Sequence, residues 1–227
     1  MSLGLLVLTL GANNRAWTQS SGLEILLPGS EYHQSDLPEN SAGLWFVLHR
    51  PDGETVLEAS NVVVRPFHTC GDERPEEQRG RAVTVSAISD PVLLIRGHPE
   101  LRPGPVRTEF QDDGVSGEAK RVEATWGDEK LILRHIVDQA IDDQPGRHLI
   151  ELTLGDLQFP LHADAWHGDG HWRVRWIGDL NRDGWPDLLL DASYKYSVYT
   201  TRLYLSSPGA DGGLEITEVA TFTHTAC

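Results

Sequence analysis

The chain has 227 residues, 39% hydrophobic, 23% charged and 7% aromatic, which is ordinary globular usage at a length that suits one large domain or two small ones. With 34 acidic against 19 basic residues the net charge is −15. That sign repels phosphate backbones and anionic lipid, so nucleic acid and membrane insertion are not expected, whereas cations and neutral or basic protein or glycan partners fit.

From the N-terminus, Met1 to Ala12 is an apolar run too short to cross a bilayer. It resembles the hydrophobic stretch of a secretory signal, although the basic leading residues are missing and a first β-strand is the other reading. Residues 1–18 are therefore expected to be a truncated signal segment, and the protein to be secreted or periplasmic.

Residues 19–162 read as an antiparallel β region. Leu23 to Leu27 is a short apolar strand. Leu44 to His49 and Glu54 to Glu58 flank Arg50-Pro51-Asp52-Gly53, a hairpin with Pro, Asp and Gly at its turn. Val62 to Val64 continues the pattern, and a charged loop carrying Cys70 follows. Ala82 to Ile88 and Val92 to Ile95 are strands broken by Asp90-Pro91. Val106 to Phe110, Lys120 to Trp126, Lys130 to Ile136 and His148 to Leu154 follow, with turns at Asp112-Asp113-Gly114 and Gly127-Asp128. No helical periodicity longer than three turns interrupts them, so the expected class is all-β, a sandwich or barrel-like region. Cys70 and Cys227 could bridge in an oxidising compartment or remain thiols, and both readings stay open.

The last segment, 163–227, carries the most specific signal. Asp179-Leu180-Asn181-Arg182-Asp183-Gly184-Trp185-Pro186-Asp187 places oxygen-bearing side chains at loop positions 1, 3, 5 and 9, with glycine at position 6. Calcium takes 6–8 oxygen ligands, and alternate oxygens on a short loop can wrap one. The expected ligands are Asp179, Asn181, Asp183, the Trp185 carbonyl and Asp187. An Asx-turn loop without metal is the bland alternative. The flanks, Trp172 to Ile177 and Asp187 to Asp191, read as strands. Position 12 is Leu190 and Pro186 lies inside the loop, which does not suit an EF-hand. A strand–loop–strand of the form D-x-[DN]-x-D-G-x-x-D, led by Gly178 and followed by Leu188-Leu189-Leu190, resembles the FG-GAP/VCBS type of calcium-loop repeat. The resemblance runs from about residue 172 to 222, in a single copy. With Leu203-Tyr204-Leu205-Ser206-Ser207 added, the segment is also similar to the end of a group of uncharacterised bacterial exported proteins. The resemblance implies a four-stranded unit holding Ca2+.

Other constellations are weaker. His162, His167 and His171 could hold a transition metal, but Gly168-Asp169-Gly170 alone explains that stretch as a turn. Asp138, Asp142 and Asp143 read as a solvated acidic loop. Of the seven tryptophans, Trp172 and Trp176 have the spacing of one strand face. No nucleophile or phosphate-loop motif is present. The expected role is a non-enzymatic calcium-binding interaction or adhesion module. A secreted hydrolase with structural calcium is the alternative, and a cleft with convergent carboxylates and exposed tryptophans would favour it.

Overall fold

The structure is a computed structural model describing residues 22–29, 31–67, 80–86, 88–112, 120–138, 146–166, 170–210 and 213–225, the side chains of Glu31, Ala165 and Trp166 excepted. The N-terminal apolar run, Cys70, Cys227, His167, Asp142 and Asp143 lie outside the described residues.

The described chain is all-β. In order it forms β1 (Glu24–Leu26), β2 (Glu31–Tyr32), β3 (Gly43–His49), β4 (Val56–Phe67), β5 (Gly80–Val85), β6 (Pro91–Arg96), β7 (Gly104–Pro105) and β8 (Thr108–Gln111). Then follow β9 (Arg121–Trp126), β10 (Glu129–Asp138), β11 (Gly146–Leu154), β12 (Leu157–Trp166), β13 (His171–Gly178), β14 (Asp187–Ser193), β15 (Val198–Pro208) and β16 (Leu214–Thr225). Among the described residues no helix is long and apolar enough to cross a membrane. The expected hairpin is β3–β4, paired from His49 opposite Val56 to Gly43 opposite Val62, and Pro51–Gly53 makes its turn with Asp52 at φ 53°.

The strands build three antiparallel sheets. A seven-stranded sheet has the order β1-β6-β3-β4-β5-β2, with β7 on β4; a four-stranded sheet is β12-β11-β10-β9; a five-stranded sheet is β16-β15-β14-β13-β8. The five-stranded sheet is the central layer. Trp176, Leu189, Leu203 and Phe222 on one of its faces join Trp45, Val47, Leu57 and Leu94 of the seven-stranded sheet in one core. Trp172, Ile177, Leu188, Leu190 and Tyr204 on its other face join Leu131, Leu133, Ile150 and Leu152 of the four-stranded sheet in a second core.

This layering explains β14. All seven of its residues are buried. A strand covered on both faces reads as a continuous apolar run rather than an alternation, because each face must be dry. The C-terminal four strands are therefore not self-contained: β8 adds a fifth through Phe110 opposite Ile177, and both outer sheets cover them. The boundary expected after residue 162 falls inside β12.

Bulges decide which side chains face which core, and those in β13 and β12 matter most for the sites described below. In β13 the pairing jumps from Val174–Leu190 to Trp176–Leu189, leaving Arg175 as the extra residue. Such an insertion flips the alternation beyond it. Trp172 and Trp176 accordingly lie in different cores, which corrects the expectation of a shared face. In β12 the pairing jumps from Pro160–Glu151 to His162–Ile150, leaving Leu161 extra. The end of β12 goes unread in the sequence, where the stretch from His162 to His171 is explained as a turn at Gly168-Asp169-Gly170. Here Pro160 is tolerated on an edge strand, next to a bulge.

The central layer makes a testable claim. In a two-layer sandwich only one of two adjacent residues on a strand faces a core. Here Leu188→Ala and Leu189→Ala are each expected to cost about 2–5 kcal/mol, since each truncates a fully buried leucine in a different core. Urea unfolding of both variants checks this, and a loss under about 1 kcal/mol for either would contradict the double coverage.

Candidate functional site

The Asp179–Asp187 loop starts where β13 ends and closes where β14 begins. Gly178 makes its entry possible: a Cβ there would fall 2.4 Å from the Arg107 carbonyl oxygen and 2.1 Å from the Trp176 ring. The backbone of the β8 segment can thus approach, and the Asp179 N–H donates to Arg107 O at 2.9 Å. Inside the loop, the Asp179 carboxylate accepts from Asp183 N and Gly184 N, each at 3.0 Å. Asn181 Oδ1 also accepts from Asp183 N (3.2 Å), and Asp183 Oδ1 accepts from Trp185 N (2.9 Å). Gly184, at φ 92°, supplies the left-handed backbone the turn requires.

Three distant contacts fix the loop from outside. Arg182, itself at φ 62°, donates to the carbonyls of Arg102 (2.9 Å) and Pro105 (3.2 Å). Trp126 Nε1, from the four-stranded sheet, donates to Gly184 O at 2.9 Å, and the Arg107 guanidinium stacks on the Trp126 ring at 3.8 Å. Asn181 Nδ2 donates to Ser206 O at 3.2 Å.

Asp187 is fully buried. Its Oδ2 accepts from Leu180 N (2.7 Å) and Asn181 N (3.4 Å), and its Oδ1 accepts from Ser206 N (2.9 Å). Burial pushes its pKa up to about 8; the Ser206, Leu180 and Asn181 backbone donors oppose that shift, and the neighbouring Asp183 carboxylate adds to it. A carboxylate so placed ties the start of the loop to β15 across the base of β14.

The donor set is all oxygen, as a hard cation requires. The Asp179 oxygens and Asp183 Oδ1 each accept one backbone N–H and retain a second lone-pair direction, so turn bonding and ion binding are compatible there, whereas both Asp187 oxygens already accept two bonds. The three loop carboxylates are not, however, a group whose ligating atoms all lie within 4.8 Å of one another. A calcium shell with oxygens at 2.3–2.6 Å would have to draw them together.

One such group does exist among the described residues: His148, His162 and Asp164. The bulge at Leu161 turns His162 opposite Ile150 and Asp164 opposite His148, onto the inward face of the four-stranded sheet. His148 continues the buried row of Ile150, Leu152 and Leu154. His135 on β10 completes a row of rings, with centroids 5.5 Å from His135 to His148 and 5.2 Å from His148 to His162. Burial lowers all three pKa values, to about 4 for His135 and His162, and Arg202 lowers those of His148 and His162 further. The rings are therefore neutral near pH 7. The sequence groups His162 with His167 and His171. The structure instead puts His171 in the central sheet against Tyr199, at 4.9 Å, and β12 and β13 belong to different sheets. The signal for His148 was legible: it occupies an inward position of an alternating strand where an apolar residue is expected.

Trp45, Trp126, Trp172 and Trp176 are buried, and Trp185 is half-buried. The open groove along Arg50, Glu54 and residues 105–111 carries the carboxylates Glu54 and Glu109, the latter bonded to Arg107 at 2.6 Å, and no tryptophan. Asp138 is exposed at the end of β10. Compared with known proteins, the chain matches no family model, no curated protein and no solved structure.

The hydrogen bonds rank the loop's side chains by structural importance. Without any divalent cation, Asp187→Ala leaves the buried Leu180 and Ser206 N–H groups without their acceptor, at about 1–3 kcal/mol each. Asp183→Ala removes only acceptors near the surface and is expected to stay within about 1 kcal/mol of the wild type. Chemical denaturation in chelator checks the order, and equal losses would contradict it.

Proposed function

We propose that Asp179, Asn181, Asp183, the Trp185 carbonyl and Asp187 bind calcium, and that the protein is an exported calcium-binding β protein serving as a non-enzymatic interaction or adhesion module. The observation that carries the reading is the loop itself. Four oxygen-bearing side chains stand on alternate or near-alternate positions of one tight turn, and one of them is a carboxylate held in a fully buried position beside a second carboxylate. When bound, the cation would supply the positive charge that lets Asp187 ionise beside Asp179 and Asp183. The resemblance to FG-GAP/VCBS calcium loops points the same way, and the export reading rests on the N-terminal apolar run and on that resemblance. The net charge of −15 favours a partner that is neutral or basic. The described tryptophans belong to cores, so stacking on a sugar, the feature that would favour a hydrolase, draws no support from them.

Mass action makes the proposal measurable. A site with Kd near 10⁻⁴ M, about the tight end for an extracellular module, gains about 2.7 kcal/mol at 10 mM calcium, equal to about 100 Kd. For a chain of this size that is a rise in melting temperature of roughly 5–10 °C. Magnesium should give much less, since it demands a smaller octahedral shell. Asp183→Ala should abolish the rise while leaving the cation-free melting temperature nearly unchanged. If wild type and variant melt alike with and without 10 mM (~100 Kd) calcium, and calorimetry shows no binding heat, the loop is a turn and the proposal fails.

A further inference from the structure

We propose a second metal site, in which His148, His162 and Asp164 hold a transition-metal ion of the zinc class between the four-stranded sheet and the central sheet.

The argument begins with placement. The inward face of β11 runs Leu154, Leu152, Ile150 and then His148, all buried. The bulge at Leu161 then brings His162 and Asp164 to the same face from the neighbouring strand. Without it, the alternation of β12 would carry both to the outer surface. Bulges that re-aim side chains in this way are concentrated beside functional sites. His162 Nε2 is buried and has no hydrogen-bond partner.

The chemistry of the three donors is specific. Their ligating atoms lie within 4.8 Å of one another. Bonds of 2.0–2.1 Å in a tetrahedron place donors about 3.3 Å apart, so modest side-chain rotation closes the shell. Two imidazoles and one carboxylate suit zinc, copper or nickel and not calcium, which wants oxygen throughout. Three protein ligands leave a fourth position for water.

The charged neighbours are compatible. Arg202 faces the cluster from the central sheet, but Glu218 Oε1 and Oε2 each accept from its Nη1 at 3.0 Å, so the pair adds no net charge. Tyr204 closes the space, its hydroxyl 3.2 Å from Glu218 Oε2 and 3.3 Å from Leu161 O. His135 stands behind His148, between it and Trp172.

The test is zinc binding to the whole chain, by calorimetry with ZnCl2 in calcium-containing buffer, and by the visible spectrum of the cobalt(II) form. The expected result is one zinc per chain and a cobalt spectrum of tetrahedral intensity. His162→Gln and Asp164→Asn should each weaken binding at least about tenfold and reduce that spectrum. Both positions are partly or fully exposed, so the variants should keep the wild-type circular dichroism and metal-free melting temperature. Asp183→Ala, in the calcium loop, should bind zinc as the wild type does. Absence of zinc binding by the wild type would overturn the proposal, as would wild-type affinity in both cluster variants or loss of zinc in Asp183→Ala.

Discussion

Everything in this molecule depends on β14 having no free face. Leu188 and Leu190 are packed into one core and Leu189 into the other, so the strand can be neither peeled from the seven-stranded sheet nor exposed by moving the four-stranded one. A strand in that position tolerates polar groups only where they are bonded. Asp187, at its start, meets that condition through Leu180, Asn181 and Ser206; Asp191, near its end, meets it through two bonds of 2.7 Å from Arg175 and one of 2.7 Å from Thr201. The two carboxylates that bracket the Leu-Leu-Leu run are thus held by neighbouring strands on either side. Removing either partner would strand a buried polar group in a dry layer.

The strands themselves were largely legible in the sequence, because their signals are local. Alternation, Pro-Asp-Gly at the β3–β4 turn and the apolar run of β14 need only neighbouring residues to be read. What failed was parity across bulges. Nothing in Trp172-Arg173-Val174-Arg175-Trp176 announces that Arg175 is the extra residue in the register with β14; that follows from which residues of β14 its neighbours must oppose. The same holds at Leu161, where the bulge reverses the faces of β12. A period of two is reliable only until one residue is inserted, and an insertion is a property of the pair of strands rather than of either sequence.

The candidate loop divides along the same line. Its turn bonds join residues two to five apart, and the spacing of Asp179, Asn181, Asp183 and Gly184 displays them in full. Its anchors do not. Arg182 reaches carbonyls 77 and 80 residues away in the chain, and Trp126 reaches across 58 residues from another sheet. Arg182 is the informative case: its left-handed backbone is unfavourable for a residue with a Cβ, and the two carbonyls that receive its guanidinium hold it there. A reading from the loop alone would assign Arg182 to solvent.

Those anchors also fix the relation between the two proposed metal sites. Trp126 bonds to the loop from the end of β9, opposite Glu129 at the start of β10. His135 lies six residues further along β10, which at 3.3 Å per residue is roughly 20 Å away. The loop and the histidine cluster therefore occupy opposite ends of one sheet-to-sheet interface, with Leu131, Leu133, Ile150 and Leu152 between them. At that distance neither set of donors reaches the other. Any coupling would have to run through the rigid packing of the four-stranded sheet on β13 and β14. Were both proposed ions bound, the donor types would keep them apart as well, since a shell of carboxylates and carbonyls selects against the metals that imidazole prefers. The fold thus puts an all-oxygen set of side chains and a His-His-Asp set at opposite ends of one apolar layer, and each set can be altered without touching the other.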